Sequence, residues 1–162
     1  MGDFWVFGYG SLIWRPGFAH VETRRARLNG YRRSLCVYSF VHRGTRQRPG
    51  LVLGLDHGGS CVGLAYRVPG ELRDEVIAYL RERELVTSVY LERTLKVRLD
   101  GGGAVEAVAY IVDRKNEQYA GALDAADAAA VVRGAVGRSG DNEALEIRDH
   151  WLEDVAQRIA TL

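Results

Sequence analysis

Cysteine, proline and net charge are all scarce in this chain of 162 residues. Its two cysteines, Cys36 and Cys61, lie in apolar stretches without Cys-x-x-Cys spacing, which argues against a disulfide framework and favours reduced core residues. The 22 basic and 21 acidic residues leave a formal charge of +1, so the charge balance does not indicate nucleic acid or a membrane surface as a partner. No apolar run reaches about 18 residues and no charged-then-apolar leader opens the chain, so we expect a cytoplasmic protein.

Metal, nucleotide and serine-nucleophile signatures are also missing. The histidines are scattered without ligand spacing, so we expect no metal site: they are His20, His42, His57 and His150. Ser11 follows Gly10 without the second half of a G-x-S-x-G turn, which argues against a covalent serine nucleophile. The segment 8–13 lacks the third glycine of a dinucleotide-binding fingerprint.

Length and composition predict one compact domain over residues 1–162. The chain is 47% hydrophobic, which is enough for a core that needs no disulfides. Alternating and β-branched runs predict strands over 34–41, 51–55, 61–68, 89–99 and 105–112, and helical spacing predicts helices from about 71, over 125–133 and from about 142. The Gly-rich segment 56–60 between two of these strands is typical of a hairpin connection.

The first strand and the loop that leaves it form the most distinctive stretch, from Trp5 to Pro16. Gly8 and Gly10 free the backbone there, so the turn can direct its peptide N–H groups inward. Such a concavity of donors binds a carboxylate or a developing oxyanion. An ordinary strand and turn is the alternative interpretation of the same residues.

Two polar segments further along the chain are candidates for function. The helix predicted from residue 71 ends in Arg81-Glu82-Arg83-Glu84, a charge run that by itself is typical of a solvated face with local ion pairs. The loop over 113–121 is too polar for a strand and contains Tyr119. A tyrosine embedded in such a loop is a functional candidate.

These segments together resemble the ChaC family of γ-glutamylcyclotransferases, in its glutathione-specific branch. The matching motifs are Phe7 to Pro16, His42-Arg43-Gly44-Thr45, Arg83-Glu84, Gln118-Tyr119-Ala120-Gly121, and Ser139-Gly140 with Asn142. The resemblance implies an α+β fold with a small, partly closed mixed β-barrel and flanking helices. It also implies conversion of glutathione to 5-oxoproline and cysteinylglycine without a metal or organic cofactor.

The resemblance further implies which residues act. The γ-glutamyl group is held by Tyr9, Gly10, Ser11 and Leu12, and Glu84 is the general acid/base; its alternative is a surface carboxylate paired with Arg81 or Arg83. Tyr119 contributes a hydroxyl to the pocket or else anchors its loop.

One departure from the family pattern leaves the substrate open. Leu145 stands where the family has a tyrosine. Another γ-glutamyl amine or dipeptide as substrate, or a non-catalytic protein that binds γ-glutamyl peptides, therefore stays an alternative. The expected partner is a small molecule, and nothing in the sequence specifies an oligomeric state.

Overall fold

The computed structural model describes residues 2–40, 44–85, 89–121, 125–132, 136–137 and 140–141. Its five longer strands are β1 (Phe4–Gly8), β2 (Glu22–Ser39), β3 (Gly50–Val68), β4 (Tyr90–Leu99) and β5 (Ala104–Val112). Its helices are α1 (Arg73–Glu84) and α2 (Ala125–Val132), and two short strands, β6 (Val136–Gly137) and β7 (Gly140–Asp141), pair with each other. The helix predicted from residue 142, and with it Leu145, lies outside the described residues.

The five longer strands close into a barrel in the order β1-β3-β2-β4-β5. Neighbouring strands are antiparallel except β1 and β5, which pair in parallel through Trp5 with Ala107 and Val6 with Val108. That parallel pair joins the first strand to the last and removes the open edge that a sheet would otherwise present. The prediction of an α+β fold with a mixed barrel is confirmed.

The prediction of two separate strands over 51–55 and 61–68 is wrong. Strand β3 is continuous and runs beside β2 along almost its whole length. Gly58 and Gly59, with φ of 99° and 72°, meet Gly30, with φ of 91°, where the register shifts between Asn29 and Tyr31. Positive φ at these glycines accommodates the one extra residue of β3 as a bulge, so the ladder continues through the segment that resembles a turn.

One apolar cluster fills the barrel, and a second cluster holds α1 against its outer side. The first includes the buried Cys61 thiol, and the second packs α1 against β1 and β5. Helix α1 buries Val76 and Leu80, which are four residues apart and therefore share one face. The next position on that face is Glu84. A carboxyl group thus occupies the end of a stripe that is otherwise apolar.

Among the helices that the structure describes, none has the length and apolar character needed to cross a membrane.

Candidate active site

The loop after β1 folds back tightly against its own strand. A Cβ at Gly8 would stand only 2.9 Å from the Cβ of Leu12, so the turn needs glycine there. The Tyr9 side chain enters the barrel core, Leu12 joins the cluster beneath α1, and Ser11 faces solvent. The loop is therefore pinned on both sides, with Ser11 outermost.

The carbonyl groups of this loop already accept hydrogen bonds, so the backbone groups that it leaves for a ligand are N–H donors. Four successive carbonyl groups accept hydrogen bonds: Tyr9 O from Arg33 Nε at 2.7 Å, Gly10 O from Ile13 N at 2.9 Å, Ser11 O from Arg15 N at 2.8 Å, and Leu12 O from Tyr66 Oη at 2.7 Å. Within the described residues, the N–H groups of Gly10, Ser11 and Leu12 have no acceptor. A trans peptide directs its N–H opposite to its C=O, so fixing the carbonyls also fixes these donors.

Glu84 ends α1 with its side chain only 17% exposed. Burial raises the pKa of its carboxyl group, and the neighbouring Arg83 opposes that rise. The pKa of Tyr9 is also raised well above its ordinary value, mainly because the phenol is buried and further because Tyr90 and the Glu84 charge lie near it. Glu84 and Tyr9 therefore share one low-dielectric region, and a carboxylate whose pKa is raised there is a stronger base than an ordinary exposed glutamate.

Arg83 connects the end of α1 to the loop after β1. Its Nη2 donates to Ser11 Oγ at 2.8 Å, its Nη1 donates to Arg15 O at 2.6 Å, and its Nε lies 3.7 Å from Glu84 Oε1. The structure thus brings Glu84 and Ser11 together through one guanidinium group. Arg81 instead forms an ion pair with Glu92 at 2.9 Å.

Glu82, two residues before Glu84, lies in a different environment. It is exposed and lines an open groove of about 680 Å³ with Arg15, Gly17, Tyr79 and Arg83. Positions two apart on a helix point about 200° apart, which is why the Glu84 side chain is mostly covered and that of Glu82 is exposed.

Tyr119 is half-buried and its hydroxyl donates to Asp56 Oδ2 at 2.8 Å. Asp56 follows Leu55 of the barrel core, and consecutive strand residues face opposite sides. The Tyr119 hydroxyl is therefore held on the outer side of β3, away from Leu55, and among the described residues its hydrogen-bond partner is Asp56 and not Glu84. This contact anchors the loop over 113–121, and a role for the hydroxyl in the pocket stays a prediction.

Asp56 was not singled out by the sequence patterns, although it is fully buried. It also accepts from Arg114 Nε at 2.7 Å and from its neighbour's backbone, His57 N, at 2.8 Å. Burial opposes its charge, but these hydrogen bonds outweigh burial and lower its pKa. The sequence feature that could have identified Asp56 is that it is a charged residue at the end of an apolar strand segment. In the part of the chain that the structure describes, no group of three or more His, Cys, Asp or Glu residues could hold a metal ion.

Comparison with known proteins gives consistent matches. The family model described as ChaC-like protein matches residues 4–159. The glutathione-specific γ-glutamylcyclotransferase of Escherichia coli is 36% identical over 141 residues, covering 87% of this chain and 61% of the relative. The human glutathione-specific γ-glutamylcyclotransferase 1 is 36% identical, and the match covers 64% of its length. The glutathione-specific γ-glutamylcyclotransferase of Schizosaccharomyces pombe is 32% identical, and the match covers 78% of its length. The chain thus spans less than two thirds of the length of the first two relatives.

A solved structure shares the fold. The crystal structure of a γ-glutamyl cyclotransferase specific to glutathione, from yeast, superposes with a TM-score of 0.82 and covers 100% of this chain and 89% of its own. Sequence identity is 23%, so this likeness concerns the architecture.

Proposed function

The chain belongs to the ChaC-like protein family, and from that premise we propose that it degrades glutathione by cyclotransfer, releasing 5-oxoproline and cysteinylglycine. The observation that carries the proposal is the placement of Glu84. Its carboxyl group is mostly buried at the end of α1 and is linked through Arg83 to the loop of unengaged N–H donors. An acid/base group beside a site for anionic oxygen is what this reaction requires.

The reaction is an internal aminolysis. The α-amine of the γ-glutamyl unit attacks its own γ-carbonyl carbon, a C–N bond closes the five-membered lactam, and the C–N bond to the cysteine nitrogen breaks. Because nucleophile and electrophile belong to one molecule, holding the substrate curled supplies much of the acceleration. Well-oriented intramolecular reactions reach effective molarities of about 10⁵–10⁸ M.

Glu84 supplies the proton transfers. An α-amine is mostly ammonium at neutral pH and cannot attack until a base removes a proton. The Glu84 carboxylate accepts that proton, and its raised pKa makes the resulting carboxylic acid persistent enough to protonate the departing cysteine nitrogen. The ammonium nitrogen gives up two protons in all as it becomes the lactam N–H, and the departing cysteine nitrogen gains two and leaves as an ammonium. Glu84 transfers these protons in turn and ends the cycle as a carboxylate again.

The loop after β1 binds the γ-glutamyl group in this proposal. The N–H groups of Gly10, Ser11 and Leu12 receive the α-carboxylate or the carbonyl oxygen as it gains charge. One such donor contributes about 3 kcal/mol in other enzymes. Tyr9 closes the inner wall, and Tyr119 keeps the loop over 113–121 in place through its hydrogen bond to Asp56.

The proposal is tested by measuring 5-oxoproline release from three substrates at equal concentration: glutathione, γ-glutamylalanine and a γ-glutamyl amine. We expect the purified chain to turn over glutathione fastest. Faster release from either of the other two would assign a different γ-glutamyl substrate. Glutathione binding by calorimetry with no release from any substrate would refute cyclotransfer.

A further inference from the structure

Arg83 makes more contacts than a surface helix residue needs. Its Nη1 also donates to Pro16 O at 3.3 Å and to the Tyr79 hydroxyl at 3.0 Å, in addition to its bond to Arg15 O, while Nη2 holds Ser11 Oγ. Every nitrogen of the guanidinium group is thus directed at the loop after β1, at its own helix or at Glu84. We propose that Arg83 is a positioning residue that locks this loop to the end of α1, so that Glu84 and the loop donors act on one substrate molecule. The inference rests on the proposed function.

The loop is built to receive that side chain. Gly17 adopts φ of +74°, and a Cβ there would collide with the hydroxyl of Tyr79. The chain therefore passes directly against the face of α1 that carries Tyr79 and Arg83. Only a planar group with donors on three nitrogens can reach these acceptors from one side chain, and lysine has a single nitrogen.

The charge of Arg83 has a second effect on Glu84. The groups that face Glu84 are Arg83 on its own helix, the phenol of Tyr9 after β1 and the phenol of Tyr110 on β5. Burial raises the pKa of both phenols, so they stay neutral in the working range. Among the described residues, Arg83 is the charged group that acts on Glu84. Removing its charge leaves burial unopposed.

The test compares Arg83→Gln, Arg83→Lys and Arg81→Gln by the pH dependence of kcat and kcat/KM for 5-oxoproline release. We expect Arg83→Gln to lower kcat on the order of 10- to 100-fold, as small misplacements of reacting groups do, and to move the acid limb of the profile to higher pH. Arg83→Lys should keep the acid limb of the pH profile near its wild-type position, because the charge is retained, but its kcat should fall. Arg81→Gln removes the same charge two residues away and should match wild type, because Arg81 contacts Glu92.

The outcomes separate the two claims. Wild-type protein that releases no 5-oxoproline would refute the proposed function itself. Active wild-type protein with kcat and the acid limb unchanged in Arg83→Gln would overturn the inference about Arg83 alone. Arg83→Lys retains the charge and serves as the folded comparison if Arg83→Gln melts below the assay temperature, and wild-type kcat in Arg83→Lys would equally overturn the inference.

Discussion

The hydroxyl of Tyr66 offers a quantitative test of how the loop after β1 is held. Tyr66 lies on β3, is 2% exposed, and donates to both Leu12 O at 2.7 Å and Ile13 O at 3.1 Å. Burial raises the pKa of this phenol to about 12, so it remains a donor at neutral pH. Tyr66→Phe preserves the ring and its edge-on contact with Phe18 at 5.6 Å while removing the donor.

The expected cost of Tyr66→Phe follows from the one hydroxyl proton that the Leu12 and Ile13 carbonyl groups share. These residues are 5% and 8% exposed, and losing that donor is equivalent to leaving one buried polar group unsatisfied, at about 1–3 kcal/mol. A chain of this size changes melting temperature by about 2–4 °C per kcal/mol, so the melting temperature should fall by roughly 2–12 °C. We expect kcat to fall on the order of tenfold or more, because the Leu12 peptide is no longer fixed.

Thermal melting and 5-oxoproline release from the same preparations provide the assay. Tyr31→Phe is the matched control, since the Tyr31 hydroxyl has no hydrogen-bond partner among the described residues. Equal melting temperatures and equal kcat for wild type, Tyr31→Phe and Tyr66→Phe would refute the claim that this hydroxyl holds the loop.

Two further predictions concern the fold. Asp56→Asn removes the negative charge and one of the two carboxylate oxygens that accept from Arg114 and Tyr119, so urea unfolding at pH 7 should show a loss of about 1–3 kcal/mol. Because the hydrogen bonds outweigh burial and lower the Asp56 pKa, the stability that the Asp56 carboxylate gives the fold is present above its ordinary pKa of 3.8 and is lost as the pH falls below that value. The variant should therefore lack this loss of stability in acid. An identical loss in both proteins would contradict the reasoning. Gly63→Ala would place a methyl group against the Gly8 carbonyl and 2.8 Å from Phe7, at about 1–3 kcal/mol; Gly2→Ala, with open space around it, is the control, and equal stability of the two would rule out this close approach.

The sequence predicted elements whose patterns are local and missed contacts that are not. Alternation along β4 and β5 is a property of each strand, so their bounds followed from the residues. A glycine pair, by contrast, is compatible with a turn or a bulge. The deciding residue for Gly58 and Gly59 is Gly30, which lies opposite them only once β2 and β3 are paired.

The site shows the same division. The burial of Glu84 was not predicted, because the run Arg81 to Glu84 is typical of a solvated face. The signal that could have revealed it is its position four residues after Leu80 on the apolar face of α1. The contacts of Arg83 with Ser11 and of Arg33 with Tyr9 could not be predicted, since each spans a separation that only the closed barrel brings together. The contact between the Tyr119 hydroxyl and Asp56 could not be predicted either, because the two residues are far apart in the sequence.

Glu84→Gln is predicted to fold at least as well as wild type at neutral pH. A carboxyl group whose pKa is raised in the folded state loses stability as pH rises through that range, and glutamine resembles the protonated, uncharged form. Equal or higher resistance to urea at pH 7 would therefore show that any loss of activity does not come from unfolding.

The most direct measurement of the central claim is 5-oxoproline release from glutathione by wild type, Glu84→Gln and Glu82→Gln. Removing a general acid/base costs about 10²–10⁴-fold, so we expect Glu84→Gln to lose activity by that factor. Glu82→Gln, which alters an exposed carboxylate two residues away, should match wild type. Undiminished release by Glu84→Gln would contradict the assignment of Glu84 as the base.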